Sequence, residues 1–387
     1  MSTELPYIVF GSPVIDEESI AAVSRTLKSG WIGTGPRVRE FEEQFAAYVG
    51  AKYALATGSC TAALHLSMVA SQLQPGDEVI TTPLTFCATA NAIIHTGATP
   101  VFADCDARSM NIDPAAIEAA ITPRTRAILP VHFAGRPAPL DAIHAIAERH
   151  KLLVIEDAAH AIETEYHGRK IGSISQLTCF SFYVTKNMTT GEGGMVTTND
   201  ADFAARIKMI GLHGMSADAW SRFSDRGYKH YDVVFPGFKY NLTDMAASLG
   251  TAQLPRLGEW IQRREQIWNH YNQAFADLPL TLPADPEPDT LHARHLYTIL
   301  VNDEARVSRD EFIVAMHQRR IGTGVHYRAL HTHPYYAERW HFNREDFPNA
   351  ADIGDRTVSL PLGPKLTDHE VDRIIAAVRS IVARQKS

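Results

Sequence analysis

Short apolar runs alternate with amphipathic segments over the first two-thirds of the chain. The runs have the length of buried β-strands, and we predict seven strands, over residues 53–56, 78–82, 100–103, 127–131, 152–155, 178–182 and 195–198. Most are followed by segments with helical periodicity, such as residues 62–73, 139–149 and 202–212. This alternation predicts an α/β fold with a mainly parallel sheet covered on both faces. Ligands of such sheets bind at the carboxyl ends of the strands, so the residues there are the candidates for chemistry.

The pattern changes near Leu254, where a long charged helix begins, followed by a stretch rich in proline and aspartate at residues 282–289. The remainder, from His295, carries strand and helix signals of its own. We therefore expect a large domain over residues 1–254 and a smaller C-terminal α/β domain over residues 255–387. A chain of 387 residues is long enough for both.

Composition narrows the class of protein. Apolar residues make up 45% and charged residues 21%, which is ordinary for a soluble globular protein. The net charge of −7 argues against a nucleic-acid partner, which would need a basic face. The sequence shows neither a signal peptide nor a run of about 18 apolar residues for a membrane helix. We expect a cytoplasmic protein with no membrane partner.

The four cysteines, Cys60, Cys87, Cys105 and Cys179, are widely spaced and form no CxxC pair. The spacing indicates neither a zinc site nor a redox pair. We therefore expect free thiols and no bound metal.

The densest chemical signal surrounds Lys186. An apolar strand leads towards it, and a turn with Gly191, Gly193 and Gly194 follows. A lysine in such a place can be desolvated, which lowers its pKa and yields the neutral amine that condenses with an aldehyde. Taken alone, a lysine is more often a surface residue.

A second signal is the apolar run that ends in Glu156 and Asp157. An aspartate at this place can lie under a heterocycle. In an enzyme that uses pyridoxal 5′-phosphate (PLP), it would keep the pyridine nitrogen protonated and make the ring an electron sink. The alternative is a helix N-cap.

A third signal is the loop from Gly58 to Thr61, which follows a strand and precedes a helical run. Backbone N–H groups and hydroxyls at a helix N-terminus form a phosphate site. The loop is not a Walker A motif, because the lysine is missing. The three signals together fit PLP, with a phosphate cradle, a ring carboxylate and a lysine in that order. Phe86, which also follows a strand, could stack on the ring, or it could be a core aromatic.

Several motifs in order give the chain a family resemblance. They are SGWIGTGP, GSCTAALHL, TFCATANAI, IEDAAHA, FSFYVTKNMTTGEGG, FKYNLTDMAASLG, RIGTGVHYRALHTHPYY and SLPL. Over nearly its full length the chain resembles the DegT/DnrJ/EryC1/StrS family of sugar aminotransferases. The resemblance implies the PLP-dependent transferase fold of type I, PLP as cofactor, L-glutamate as amino donor and a homodimer with shared active sites.

The resemblance also implies roles for single residues. Lys186 falls where the family attaches the cofactor and carries out catalysis, Asp157 where it binds the pyridine nitrogen, and Phe86 where an aromatic stacks on the ring. The remaining implied cofactor contacts are His160 beside the 3-hydroxyl, Cys60, Thr61 and Ser181 at the phosphate, and Asn241 reaching the phosphate from the partner subunit.

The implied substrate is a nucleotide-linked keto sugar. Five residues fall near positions that meet it, with Arg328 suited to the diphosphate: Trp31, Thr34, His326, Tyr327 and Arg328. The last long motif and KYNLTD look most like the members that aminate UDP-4-keto-L-arabinose, although Tyr183 replaces a histidine frequent in them. A UDP-4-keto-6-deoxy-hexosamine and a dTDP-keto-6-deoxy sugar are the alternative acceptors.

Three other functions compete with a transaminase. A sugar dehydratase of the same family would carry histidine in place of Lys186. A cysteine desulfurase would need a reactive cysteine on a mobile loop, whereas all four cysteines lie in or beside strand-like segments. A non-enzymatic regulator that retained the fold would bind no PLP.

Overall fold

Helices and strands alternate along the chain, and the structure, a computed structural model, describes residues 5–216 and 230–382. The elements up to residue 210 are α1 (Glu17–Ser29), α2 (Pro36–Val49), β1 (Tyr53–Thr57), α3 (Cys60–Ala70), β2 (Glu78–Thr81), α4 (Cys87–Ile94), β3 (Thr99–Phe102), α5 (Pro114–Ala120), β4 (Thr125–Leu129), α6 (Leu140–His150), β5 (Leu153–Asp157), β6 (Glu165–Tyr166), β7 (Arg169–Lys170), β8 (Leu177–Ser181), β9 (Gly194–Thr198) and α7 (Ala201–Ile210).

The later part of the chain contains the long helices α9 and α13 and several shorter elements. These are α8 (Asp244–Gln253), α9 (Leu257–Phe275), β10 (Leu280–Thr281), β11 (Thr290–Leu291), β12 (Tyr297–Val301), α10 (Arg309–Gln318), α11 (Pro334–Trp340), α12 (Pro348–Arg356), β13 (Thr357–Leu360) and α13 (Asp368–Val382). In the described ranges, no helix is both long and apolar enough to cross a membrane.

The main sheet has seven strands in the order β1-β9-β8-β5-β4-β2-β3. Strand β9 runs antiparallel to both its neighbours, and the other pairs are parallel. All seven predicted strands are present within two residues at each end. The prediction of a mainly parallel sheet is therefore confirmed.

Both faces of this sheet are buried. On β5, Val154 faces one apolar cluster with helices α2, α6 and α8, while its neighbour Ile155 faces another with α3, α4 and α7. Helix α2 shows how the sequence builds the first cluster. Pro36 occupies its first turn, Gly50 ends it with a positive φ of 76°, and Phe45 lies between them on the apolar face. The Phe45 ring is fully buried, which contributes about 1.5–3 kcal/mol to stability.

A smaller antiparallel sheet, β10-β12-β13, forms a separate apolar cluster with the second half of α9 and with α10 and α13. The first half of α9, at Leu257 and Trp260, packs instead on the main sheet's cluster. Ile8, from the N-terminal segment, belongs to the smaller sheet's cluster and pairs with Ile321. The division into domains at residue 254 stays a prediction.

Candidate active site

Lys186 lies in the loop between β8 and β9, at the carboxyl end of β8. The loop is fixed by backbone hydrogen bonds, among them one from the Lys186 amide to the Tyr183 carbonyl of 2.9 Å. Burial lowers the pKa of the Lys186 ammonium to about 8, although the nearby Cys60 and Asp157 act in the opposite direction. Near physiological pH, a much larger fraction of this amine is therefore neutral than in an exposed lysine.

Asp157 is the last residue of β5, the strand next to β8. Its carboxylate accepts a hydrogen bond of 2.8 Å from the Thr89 hydroxyl and one of 3.1 Å from the Ala159 amide. Burial raises the pKa of this carboxyl, while the two hydrogen bonds and Lys186 oppose the rise. The next element is strand β6. The interpretation of Asp157 as a helix N-cap is therefore wrong.

His160 follows Asp157 by one turn and is buried. Its Nε2 lies 3.1 Å from the Tyr327 hydroxyl, but its Nδ1 has no hydrogen-bond partner among the described residues. The Nδ1 of His326 lies 2.9 Å from the Ser359 hydroxyl. Burial, helped by the charge of Lys186, lowers the pKa of both imidazoles, that of His326 to about 4. Both rings are neutral at pH 7 and can each donate and accept a hydrogen bond.

The N-terminus of helix α3 meets the same edge of the sheet. Ser59 is its N-cap, and its hydroxyl accepts from the Ala62 amide at 3.1 Å. Cys60 and Thr61 begin the helix, where the helix dipole and backbone N–H groups favour an anion. A Cβ at Gly194 would lie only 2.5 Å from the carbonyl carbon of Ser59, so only glycine permits this close approach.

Ser181 is brought to this helix end by the pairing of strands. In the register of the sheet, Gly194 on β9 lies between Ser181 on β8 and Thr57 on β1. The predicted phosphate contacts Cys60, Thr61 and Ser181 therefore lie at one edge of the sheet, as the sequence suggested.

Asn241 lies beside the turn that precedes α3. Its backbone pairs with Thr57, and its side-chain amide donates a hydrogen bond to the Thr34 hydroxyl. Thr34 in turn donates to the Leu242 carbonyl, and the Trp31 indole donates to the Thr34 carbonyl at 3.3 Å. Trp31, Thr34 and Asn241 thus form one group within the chain. A contact of Asn241 with a partner subunit stays a prediction.

Phe86 precedes helix α4 as its N-cap residue and is 57% exposed. Its ring centroid lies 6.0 Å from that of Tyr327. The alternative that Phe86 is a core aromatic is therefore wrong. Tyr183 and Thr61 are exposed as well.

Arg328 is exposed, and its guanidinium is folded back on its own loop. Its Nε donates to the Thr332 hydroxyl at 3.1 Å and its Nη2 to the Thr332 carbonyl at 2.7 Å. These bonds use two of its five N–H donors and leave three for a ligand. The structure does not join Arg328 to the buried group around Lys186.

The sequence did not identify the residues whose hydrogen bonds hold Asp157 and the neighbour of Lys186 in place. Thr89 holds the Asp157 carboxylate. The side chain of Asn187 donates to Glu163 at 2.8 Å and contacts His295 Nδ1 at 2.9 Å. The only signal for Thr89 was its place one helical turn after Phe86, and the other contacts join residues far apart in the chain.

The residues present fit PLP. A partly neutral amine, a buried carboxylate and an anion-binding helix end converge on adjoining strand ends. The buried Nδ1 of His160 finds no partner within residues 5–216 and 230–382, and a bound molecule with a hydroxyl at this place would supply one. These are the groups that an aldehyde, a pyridine nitrogen, a phosphate and a ring hydroxyl require.

Three of the four cysteines are poor candidates for a reactive thiolate. All four are free. Cys60 and Cys87 begin helices α3 and α4, while Cys105 and Cys179 are buried. Burial raises the pKa of the thiols of Cys60, Cys105 and Cys179. A thiol of raised pKa is a weak nucleophile, which argues against a cysteine desulfurase.

Sequence comparison decides the family. The sequence model of the DegT/DnrJ/EryC1/StrS aminotransferase family matches residues 13–379. The chain belongs to this family. The protein is thus a PLP-dependent sugar aminotransferase, and the predicted enzyme class and cofactor are confirmed.

Individual relatives agree with this assignment. The spore coat polysaccharide biosynthesis protein SpsC of Bacillus subtilis is 51% identical over 378 residues, covering 97% of each chain. Spr1654 of Streptococcus pneumoniae, described as a sugar aminotransferase, has been solved in apo, PMP and PLP forms, each of which aligns with a TM-score of 0.90. Its apo form is 33% identical to this chain, and the alignment covers 97% of this chain and 98% of Spr1654. PseC of Helicobacter pylori, an aminotransferase in the biosynthesis of pseudaminic acid, has a TM-score of 0.90 at 29% identity over 97% and 99% of the two chains. These structures confirm the predicted fold class.

Proposed function

We propose that this aminotransferase moves an amino group from L-glutamate to the keto carbon of a nucleotide-linked sugar, with a UDP-4-keto sugar as its acceptor. The observation that carries the proposal is the meeting of Lys186, Asp157 and His160 at neighbouring strand ends, in a member of a sugar aminotransferase family. Spore coat polysaccharide and pseudaminic acid, the products with which two relatives are associated, suggest that the amino sugar enters a surface glycan.

Lys186 attaches the cofactor and then moves protons. Bound PLP supplies an aldehyde that condenses with amines and a ring that withdraws electrons from the reacting carbon. The Lys186 Nζ, with a pKa of about 8, can take up and release a proton near neutral pH. In each half-reaction, Nζ would carry a proton between the substrate carbon and C4′ of the cofactor.

Asp157 holds the proton of the ring nitrogen. Thr89 and the Ala159 amide fix the direction of the carboxylate and favour its charged form. His160, linked to Tyr327, offers its free Nδ1 to the ring hydroxyl. These contacts orient the ring rather than transfer protons to the substrate.

A second copy of the chain completes the site. Phe86, Tyr183 and Thr61 are exposed at the sheet edge where the cofactor binds. Asn241 and the residues around it lie on the same edge near the start of α3. A homodimer related by a two-fold axis would cover this edge and allow Asn241 to reach the partner's phosphate.

The nucleotide binds outside the buried group. His326 and Tyr327 border the site of chemistry, and the three remaining donors of Arg328 can hold diphosphate oxygens. Trp31 and Thr34 lie with Asn241 and would meet the sugar nucleotide at the dimer interface.

The test is a panel of acceptors offered to the enzyme after glutamate has converted its cofactor to the amino form. We expect UDP-4-keto-L-arabinose to restore the visible absorbance of bound PLP. A UDP-4-keto-6-deoxy-hexosamine and a dTDP-keto-6-deoxy sugar complete the panel, and free keto sugars are the control. Equal rates with free and nucleotide-linked sugars would refute the nucleotide requirement.

A further inference from the structure

A cavity of about 390 Å³ lies beside Lys186, on the side of the N-terminal segment. Residues 7–14, the loop after β8 and residues 362–367 line it, and Arg264 of helix α9 lies in its wall. The volume is that of sites for small molecules. Phe10, also in the wall, stacks on the His326 ring at 5.5 Å, so the cavity borders the residues described above.

Arg264 is buried, with 1% of its surface exposed. Its Nη2 donates to Glu163, and its Nε donates to the Ala293 carbonyl at 3.4 Å. Its Nη1 has no hydrogen-bond partner in the part of the chain that the structure describes. A buried charged donor without a partner is costly, so the structure indicates a ligand group at this atom.

The charges around the cavity favour an anion. Besides Lys186, which is assigned to the cofactor, two of the described residues that line it, Arg264 and Lys365, are basic, whereas Glu370 is acidic. The Glu370 carboxylate already accepts two hydrogen bonds of 2.9 Å from Thr367. Among the described residues, the Lys365 ammonium hydrogen-bonds only to the Ser12 hydroxyl, at 3.4 Å.

Arg264 is close to the lysine in structure. Its Nε and the side-chain amide of Asn187 both donate to the Ala293 carbonyl, and Asn187 directly follows Lys186. The amino group of a donor must reach Lys186, and its α-carboxylate stays next to that amino group. The shared Ala293 carbonyl joins Arg264 to Asn187, the residue after Lys186, so the guanidinium suits a second, more distant carboxylate.

We propose that Arg264, aided by Lys365, binds the side-chain carboxylate of a dicarboxylic amino donor in this cavity. The inference rests on the proposed function, because it assumes an amino-acid donor at Lys186. Glu163 occupies one edge of the guanidinium, so Nη1 offers a single charged hydrogen bond instead of a bidentate pair. The contact therefore adds more to the discrimination between amino donors than to the affinity for any one of them.

The test measures the binding of two unreactive probes to the PLP-loaded enzyme by calorimetry. Glutarate has the two carboxylates of glutamate without its amino group, and butyrate has one. The variant Arg264→Met with Glu163→Gln removes the cation without leaving a buried unpaired carboxylate, and it keeps an acceptor for Asn187. The matched control is Arg136→Met with Glu287→Met, a second pair with a buried arginine that does not line the cavity.

Wild type and control should prefer glutarate, and the Arg264 variant should lose about 10-fold to 100-fold of that preference, the worth of a hydrogen bond between charged groups. Lys365→Met, at an exposed position, should lose part of it, whereas Lys52→Met, another exposed lysine, should lose none. If the Arg264 variant does not fold, the glutarate preference of Lys365→Met decides whether the proposal holds.

Equal binding of the two probes by wild type, or an unchanged preference in Lys365→Met and the Arg264 variant, would overturn the proposal. The acceptor panel judges the proposed function separately. An enzyme that aminates sugars but shows no preference for glutarate would refute only the carboxylate site. An enzyme that aminates no sugar, but whose variants lose the preference, would support the carboxylate site and refute the proposed function.

Discussion

If Lys186 attaches the cofactor as proposed, its pKa sets the pH at which attachment occurs. Burial lowers this pKa from 10.5 to about 8. At pH 7 the neutral fraction of the amine rises from about 1 in 3,000 to about 1 in 11, roughly a 300-fold gain. Only the neutral amine attacks an aldehyde, so the rate of PLP attachment to cofactor-free protein should rise with pH and level off above about pH 8.

Asp157 raises the pKa of Lys186, because a nearby negative charge favours the ammonium form. Asp157→Asn should therefore move the inflection to lower pH and speed attachment at pH 7. The same change should slow turnover, because an amide cannot hold the pyridinium proton. One substitution is thus expected to have opposite effects on attachment and on catalysis.

Stopped-flow absorbance of PLP attachment from pH 6 to 10 measures the first effect, and steady-state transamination measures the second. Glu156→Gln is the matched control, because Glu156 is the preceding residue on β5 and contacts His132 and Thr178 instead. A rate that climbs without levelling off to pH 10, or an inflection that Asp157→Asn moves upwards, would show that burial does not prepare Lys186 in this way.

Three further predictions concern the assigned roles. Lys186→Ala should lose the visible absorbance of attached PLP and at least about 10³-fold of turnover, because covalent attachment and proton transfer both disappear. Arg328→Ala should raise KM for the sugar nucleotide and leave the glutamate half-reaction nearly unchanged, because glutamate has no diphosphate. Mixing inactive Lys186→Ala chains with inactive Asn241→Asp chains should restore some activity in heterodimers, because one of the two sites then contains neither substitution.

Each of the three has a result that contradicts it. Near-normal turnover of Lys186→Ala would refute the assignment of Lys186 as the catalytic lysine. Equal damage to both half-reactions by Arg328→Ala would mean that Arg328 serves the fold or the donor. Heterodimers that form without regaining activity would indicate that Asn241 acts within its own chain.

The residues at strand ends were predictable from the sequence for a physical reason. An apolar run long enough to be buried in a sheet must end in the residues that meet solvent or ligand, which singled out Asp157 and Lys186. The start of α3 was visible in the same way, because Ser59 has the side chain of an N-cap. These features depend on short stretches of chain, so the local pattern of apolar and polar residues is enough to predict them.

The supporting contacts were not predictable, because each joins distant parts of the chain. Thr89 reaches Asp157 across 68 positions, and Arg264 reaches Glu163 across 101. In the sequence, Arg264 is one charge in a charged helix and suggests an exposed residue. Only the packing of α9 against the sheet shows that it is buried. Arg328 is the reverse case. Its guanidinium suits a diphosphate, and the sequence gives no sign that two of its donors bond to Thr332.

The proposed dimer would link assembly and chemistry at this sheet edge. The pKa of Lys186 is low because burial removes water from its ammonium group. Phe86 and Tyr183, which are exposed in the single chain, lie where a second copy is proposed to bind. Covering them would remove more water from the site, and further desolvation lowers the pKa of a lysine further. The value of about 8 belongs to the single chain, so in the proposed dimer the rate of PLP attachment should already level off at or below about pH 8.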